Sequence, residues 1–228
     1  MNEEVNLKTL KKKVILLFIG VFVILGSLFF LPAWTLKYWE GWVYIFIIAI
    51  PMSIFGLYLL KHDPKLLERR VRMKEKQKDQ KLIVKLSLLL YLPTFMLPGF
   101  DKRFGWSDVP LVLTIISFVI VFLGYMMTIY VFKTNSYASR IIEVEQGQKV
   151  IDTGPYAFVR HPMYLSLIIF YSFTPLALGS YWAMIPACMF VLVFIPRIIG
   201  EERELLKNLT GYQEYTQKVK YRLFPGVW

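Results

Sequence analysis

Arginine, histidine and tyrosine cluster directly before an apolar segment, where residues 154–164 read Gly-Pro-Tyr-Ala-Phe-Val-Arg-His-Pro-Met-Tyr. A proline directly after the histidine suits the first turn of a helix. Backbone N–H groups near His161, Met163 and Tyr164 would then have no partner inside the helix and would carry a partial positive charge. Together with the guanidinium of Arg160, they predict a binding site for a carboxylate or a phosphate.

A second polar cluster, residues 197–205, follows the next long apolar stretch. Arg197, Glu201 and Leu205 are spaced by four residues, so on a helix they share one face. The simplest alternative is that Arg197 and Glu201 only pair with each other where a helix leaves the bilayer. A functional role for this second cluster requires that the folded chain brings it close to the first one.

The apolar stretch between the two clusters, residues 163–196, is too long for one membrane span. It is interrupted near Thr174-Pro175 and again near Gly179-Ser180-Tyr181. We therefore predict a helical hairpin, which returns the chain to the side from which it started. Both polar clusters would then meet at the same membrane surface.

The composition indicates a membrane protein, because 56% of the 228 residues are hydrophobic and 17% are aromatic. About 20 helical residues cross a hydrocarbon core of ~30 Å. With the hairpin, the apolar runs predict an all-α integral membrane protein of about six transmembrane helices with a cytoplasmic cofactor site. The four runs before the hairpin are 14–33, 41–60, 82–98 and 109–132.

The net charge of +11 does not indicate a nucleic-acid partner, because the basic residues are concentrated in particular segments of the chain. With a cytoplasmic N-terminus, Lys37, Lys102 and Arg103 are the basic residues that fall outside, and Lys85 lies within the third span. The other lysines and arginines lie in predicted cytoplasmic segments, as the positive-inside rule requires. We expect both termini in the cytoplasm and basic loops at anionic lipid headgroups.

No repeat or linker divides the chain, so we predict a single domain over 1–228, with membrane helices over 1–132 and a catalytic region over 133–228. Asp63 and the proline after it predict the start of a charged helix running to about Lys81. Residues 141–151 contain Gln-Gly-Gln between apolar residues, which predicts a small hairpin or two extended segments beside the first cluster.

Several reaction types find no support in the sequence. The two histidines and the single cysteine do not have the spacing of metal ligands, so no metal site is expected. Neither a Ser-His-Asp order nor a glycine-rich nucleotide loop is present. No obligate protein partner is evident either. Any nucleotide-like cofactor would have to bind without the soluble nucleotide-binding fold.

The two clusters resemble the signature of the isoprenylcysteine carboxyl methyltransferase and phospholipid methyltransferase family, integral membrane enzymes that use S-adenosylmethionine. The matching motifs are Gly154-Pro-Tyr156-x3-Arg160-His161-Pro162-x-Tyr164 and Arg197-x3-Glu201-Glu202-x2-Leu205. The resemblance covers roughly the last 95 residues. It implies that the cofactor is bound by Gln148, Lys149, Val150, Ile151, Tyr156, His161, Pro162, Met163, Tyr164 and Glu201, and we add Glu202 to this set.

The resemblance also implies that Arg197 faces a lipophilic substrate, and we predict Arg160, Arg197 and Glu201 as the catalytic residues. A carboxylate acceptor would arrive ionised and could pair with Arg197. An amine acceptor would have to lose a proton to Glu201, Glu202 or a tyrosine. Isoprenoid acids, prenylcysteine-like carboxylates, phospholipid amines and polyketide-like lipids all remain open as substrates.

Two other classes of function remain as alternatives. Some membrane sterol reductases are similar to this family near their C-termini and use NADPH instead. A transporter or a structural membrane protein would use both clusters only as helix-end anchors, although charged groups that serve transport usually lie within the spans.

Overall fold

The computed structural model describes residues 7–71, 78–138, 144 and 147–228. This part of the chain contains helices and no β-strand. A short 3-10 helix, Gly154–Ala157, precedes α6. The α-helices are α1 (Leu7–Ala33), α2 (Trp39–His62), α3 (Pro64–Val71), α4 (Lys78–Phe104), α5 (Leu111–Thr134), α6 (Pro162–Ala177), α7 (Met184–Leu192), α8 (Phe194–Asn208) and α9 (Tyr212–Lys218).

Five helical segments in the described part of the chain are long and apolar enough to cross a membrane, which confirms the prediction of an all-α integral membrane protein. The expected count of six is not confirmed, because α6 is apolar but has only 16 residues. A full span takes about 20. The five segments are Leu10–Ala33, Trp39–His62, Leu82–Phe104, Leu111–Thr134 and Met184–Asn208, the last combining α7 with α8.

Helices α1 and α4 approach each other closely at Gly99. A Cβ atom there would lie 2.5 Å from the carbonyl oxygen of Phe29 and 3.1 Å from the amide nitrogen of Ala33. Small residues at helix contacts permit this approach in membranes, where packing replaces the hydrophobic effect. Beside the contact, the rings of Phe29, Phe95 and Tyr44 pack with centroids 5.6 to 6.2 Å apart. This aromatic cluster forms the centre of the main core.

The predicted helical hairpin is present, with α6 as its outgoing arm and α7 with α8 as its returning arm. Its turn falls at 178–183, whereas Thr174 and Pro175 stay inside α6, so the first predicted interruption was wrong. Pro175 is tolerated because it lies in the last turn of α6. The turn is fixed by Tyr38, whose hydroxyl donates to the Leu178 carbonyl at 2.6 Å, and by Ser180, whose hydroxyl donates to Asp101 at 2.5 Å.

Both smaller sequence predictions can be followed only in part. Asp63 caps α3 as expected, since its Oδ1 accepts a hydrogen bond from the Leu66 amide at 3.0 Å. Residues 72–77 of the predicted charged helix lie outside the described residues, and 78–81 belong to the start of α4 instead. Residues 141–143, 145 and 146 of the predicted hairpin also lie outside the described residues. The described residues 147–153 form a turn and then an extended segment without strand pairing.

Candidate functional site

The buried carboxylate of Glu202 connects three segments of the chain. They meet at the end of the hairpin that we predicted to face the cytoplasm. Its Oε1 accepts from Arg160 Nε at 2.7 Å and contacts His161 Nε2 at 3.2 Å. Its Oε2 accepts from Arg222 Nε at 2.7 Å. The carboxylate therefore ties α8 both to the start of α6 and to the chain that follows α9.

The C-terminal segment lies against the start of α6 through backbone hydrogen bonds. Arg160 Nη1 donates to the carbonyls of Val219 and Lys220 at 2.9 and 2.8 Å. The amides of Arg160 and His161 donate to the carbonyls of Tyr221 and Arg222, both at 2.9 Å. The His161 amide was expected to serve an anion, and this expectation was wrong because the folded-back tail already supplies its acceptor.

Glu201, the neighbour of Glu202, faces the other way. Its Oε2 accepts a hydrogen bond from the hydroxyl of Tyr164 at 2.8 Å. The Tyr164 ring is itself fixed against Phe194, with ring centroids 5.5 Å apart. Arg197 lies one helical turn before Glu201 on α8 and lines the same cavity. An acid, a phenol and a guanidinium thus converge on one space.

This space is a cavity of about 430 Å³, within the size range of small-molecule sites. It gathers most of the residues that the sequence singled out, while Pro162 and Glu202 are not in its lining. The roles of all these residues in cofactor binding and catalysis stay predictions. The predicted site residues that line it are Gln148, Lys149, Val150, Ile151, Tyr156, Arg160, His161, Met163, Tyr164, Arg197 and Glu201.

The cavity continues into an apolar limb that the sequence motifs did not reveal. Leu167 and Tyr171 extend the face of Tyr164 along α6, at intervals of three and seven residues. Phe194 and Phe190 lie three and seven residues before Arg197, so they extend its face toward the hairpin turn. Helical periodicity counted outward from the motifs would have found these four side chains. Val84 and Ser87 of α4 and Val193 complete the limb.

Helix α9 contributes an aromatic wall that the motifs also missed. Tyr212 and Tyr215 pack with ring centroids 5.6 Å apart, in one apolar cluster with Leu209 and Val150. The Tyr215 hydroxyl donates to the Tyr156 carbonyl at 2.7 Å. Burial raises the pKa of both Tyr212 and Tyr215, so each hydroxyl keeps its proton at neutral pH.

Two further contacts position the extended segment against this wall. Lys218 of α9 donates to Asp152 at 2.7 Å, and the hydrogen bond and charge of this lysine lower the pKa of Asp152. Gly154 has a φ of +58°, and a Cβ there would lie 3.2 Å from the Thr134 side chain. Glycine is therefore required where the chain leaves the segment and enters the 3-10 helix.

Comparison with known families identifies this region. Residues 114–207 match the model of the isoprenylcysteine carboxyl methyltransferase (ICMT) family. Over this region the chain resembles the ICMT family, and the match together with the apolar helices indicates a membrane methyltransferase. The matched region contains both polar clusters and ends just before the aromatic wall of α9.

One solved structure similar to this chain is the eukaryotic intramembrane Ras methyltransferase ICMT (isoprenylcysteine carboxyl methyltransferase), solved without a monobody. The two sequences are 16% identical, the TM-score is 0.49, and the alignment covers 99% of this chain and 88% of that one. No curated protein sequence matches the chain.

The contacts of Glu202 lead to a prediction about folding. Replacing Glu202 with Gln removes a charge that faces Arg160 and Arg222, so the buried guanidinium of Arg160 loses its counter-ion. We expect the free energy of unfolding to fall by about 3 kcal/mol or more, the usual result of breaking a buried pair. Thermal melting of the detergent-purified protein measures this effect. The control is Glu214→Gln on the exposed side of α9, which should melt like the wild type. Equal melting of both variants would show that the Glu202 contacts contribute nothing.

Proposed function

We propose that the chain transfers a methyl group from S-adenosylmethionine to a lipophilic acceptor that reaches the site from the bilayer. The observation that carries the proposal is one continuous cavity with two kinds of wall. One end holds Arg197, Glu201 and Tyr164, and the other is a limb of aromatic and aliphatic side chains. A polar, charged cofactor and an apolar acceptor need this combination.

The chemistry of the charged end fits S-adenosylmethionine. Its amino group suits the carboxylate of Glu201, and its carboxylate suits the backbone N–H groups of the first turn of α6 that follow His161. Gln148 and the extended segment after it, with the aromatic wall of α9, form the remaining side of the cavity. When bound, the cofactor supplies a methyl group that is already activated on a sulfonium. The protein has to align the acceptor and exclude water.

Residues of the hairpin would carry out this alignment. The hydrogen bond from Tyr164 fixes the position of the Glu201 carboxylate. Phe190 and Phe194 of the apolar limb exclude water and would hold the hydrocarbon part of the acceptor. Arg197 lies between these two regions along the returning arm, where its guanidinium could bind an anionic acceptor. An isoprenoid or prenylcysteine-like carboxylate fits this arrangement, and an amine acceptor would instead need Glu201 or a tyrosine as base.

The NADPH-dependent reductase gains no support from the family match, which names methyl transfer. The site offers no feature that favours hydride transfer over methyl transfer. We therefore retain the methyltransferase as the one proposed function.

We further propose that both termini and the site face the cytoplasm and that the surrounding basic segments contact anionic lipids. The sorting of lysine and arginine along the sequence supports this orientation. Exposed Lys102 and Arg103 end α4 on the side of the hairpin turn, away from the start of α6.

The cofactor assignment predicts a binding preference. S-adenosylhomocysteine should bind the purified protein and raise its melting temperature, and NADPH should do neither. Ligand at a hundredfold excess over its dissociation constant stabilises the folded state by ~2.7 kcal/mol. Calorimetry and thermal melting with both ligands measure the difference. Binding of NADPH without binding of S-adenosylhomocysteine would overturn the proposal.

The two ends of the site predict separable effects of Glu201 and Arg197. Glu201→Gln should weaken S-adenosylhomocysteine binding, because charge-assisted hydrogen bonds contribute about 1.5 to 3 kcal/mol. Arg197→Ala should leave that affinity nearly unchanged and depress methyl transfer to a lipophilic acid. Titrating the cofactor product into both variants and the double variant, with melting temperatures alongside, separates the roles. A purely structural pair predicts instead a double variant little worse than either single one.

The orientation predicts which positions a membrane-impermeant thiol reagent reaches in intact cells. On a Cys188→Ser background, Asp108→Cys should be labelled from outside, because this exposed residue follows α4. Gln213→Cys, exposed on α9, should be labelled only after the cells are permeabilised. The opposite pattern would place the site on the outer surface and contradict the proposed orientation.

A further inference from the structure

The hydroxyl of Tyr212 is buried at the cavity and has no hydrogen-bond acceptor among the described residues. The residue is only 4% exposed. Removing a hydroxyl from water without a partner costs free energy, so buried hydroxyl groups are normally paired. An unpaired one that lines a cavity points to a group that the protein itself does not supply.

The hydroxyl of each other buried tyrosine in the described part of the chain has a hydrogen-bond partner in the protein. Tyr38 and Tyr215 donate to backbone carbonyls at 2.6 and 2.7 Å. Tyr44 is bonded to Thr174 at 2.8 Å, and Tyr164 donates to Glu201 at 2.8 Å. In the described part of the chain, Tyr212 is thus the buried tyrosine whose hydroxyl is left over.

Nearby carboxylates do not serve as its acceptor, although their charges act on it. Burial raises the pKa of Tyr212, and the negative charges of Glu202 and Glu201 raise it further, so both carboxylates lie near this residue. Both oxygens of Glu202 are engaged by Arg160, His161 and Arg222. Oε2 of Glu201 accepts from Tyr164. The Tyr212 hydroxyl therefore keeps its proton and remains an unpaired donor beside the cavity that this residue lines.

The wall around this hydroxyl suits one half of the proposed cofactor better than the other. Tyr212 belongs to the apolar cluster of Leu209, Tyr215 and Val150, next to the extended segment. A purine ring packs well on such a surface and offers nitrogen acceptors at its edge. The charged amino-acid half fits the neighbouring part of the cavity, which is lined by Arg197 and Glu201. These two regions divide the polar part of the cavity.

We infer that the Tyr212 hydroxyl donates a hydrogen bond to the nucleoside half of the methyl donor, an inference that rests on the proposed function. It assigns a binding residue that lies beyond the region matching the family model. The bond satisfies the buried donor only when the ligand is present. Tyr212 therefore raises cofactor affinity at the expense of the stability of the unliganded protein.

The test uses the full chain in detergent, with S-adenosylhomocysteine and methylthioadenosine as probes. Methylthioadenosine keeps the nucleoside and the sulfur and lacks the amino-acid half. For Tyr212→Phe, we expect calorimetry to show affinities for both probes weakened by about tenfold, the usual effect of one net hydrogen bond. The unliganded variant should melt at the same temperature as the wild type or above it.

Tyr38→Phe is the matched control, since it removes a buried hydroxyl that has a protein acceptor at the hairpin turn. We expect this variant to melt at a lower temperature and to bind both probes like the wild type. Unchanged affinity for S-adenosylhomocysteine in Tyr212→Phe would overturn the inference, and so would unliganded melting lowered as in Tyr38→Phe. A loss confined to S-adenosylhomocysteine would overturn the nucleoside assignment. Failure of the wild type to bind S-adenosylhomocysteine would overturn the proposed function as well, which distinguishes the two failures.

Discussion

The carboxylate of Glu202 holds the functional end of the molecule together. Arg160 and His161 reach it from the segment before α6, and Arg222 reaches it from the tail. A buried charge is costly unless it is paired and hydrogen-bonded, so these partners and the carboxylate need one another. The same interaction brings α8 to the start of α6, and this places Glu201 within 2.8 Å of the Tyr164 hydroxyl.

Two adjacent glutamates can do different work because successive residues on an α-helix point about 100° apart. Glu202 points to the tail and its cations, whereas Glu201 points to Tyr164 and the cavity. The second polar cluster, which contains both residues, therefore combines a structural contact with a cavity-facing group. At its far end, the hairpin is held independently by Asp101, which accepts hydrogen bonds from Ser107 and Ser180.

Most residues that the sequence assigned to the charged half of the site do line one cavity, because few polar residues border the hairpin and the chain must bring its ends together. Composition could not reveal Leu167, Tyr171 and Phe190, which only helical spacing from the motifs would have found. Membrane helices are apolar on their lipid-facing and cavity-facing sides alike, so composition does not distinguish the two. The contacts of Glu202 were equally hidden, since Arg222 and the carbonyls of the tail become its neighbours only after the chain folds back across α6.

Stability alone does not explain why a charge cluster occupies this position. Apolar side chains of similar volume often replace buried ion pairs without loss of stability. Ion pairs and hydrogen bonds do, however, accept few geometries, whereas an apolar contact tolerates sliding of one helix along another. Glu202 with Arg160 and His161 thus fixes the register between α8 and α6. The distance between Tyr164 and Glu201, and with it the alignment of the charged end with the apolar limb, follows from that register.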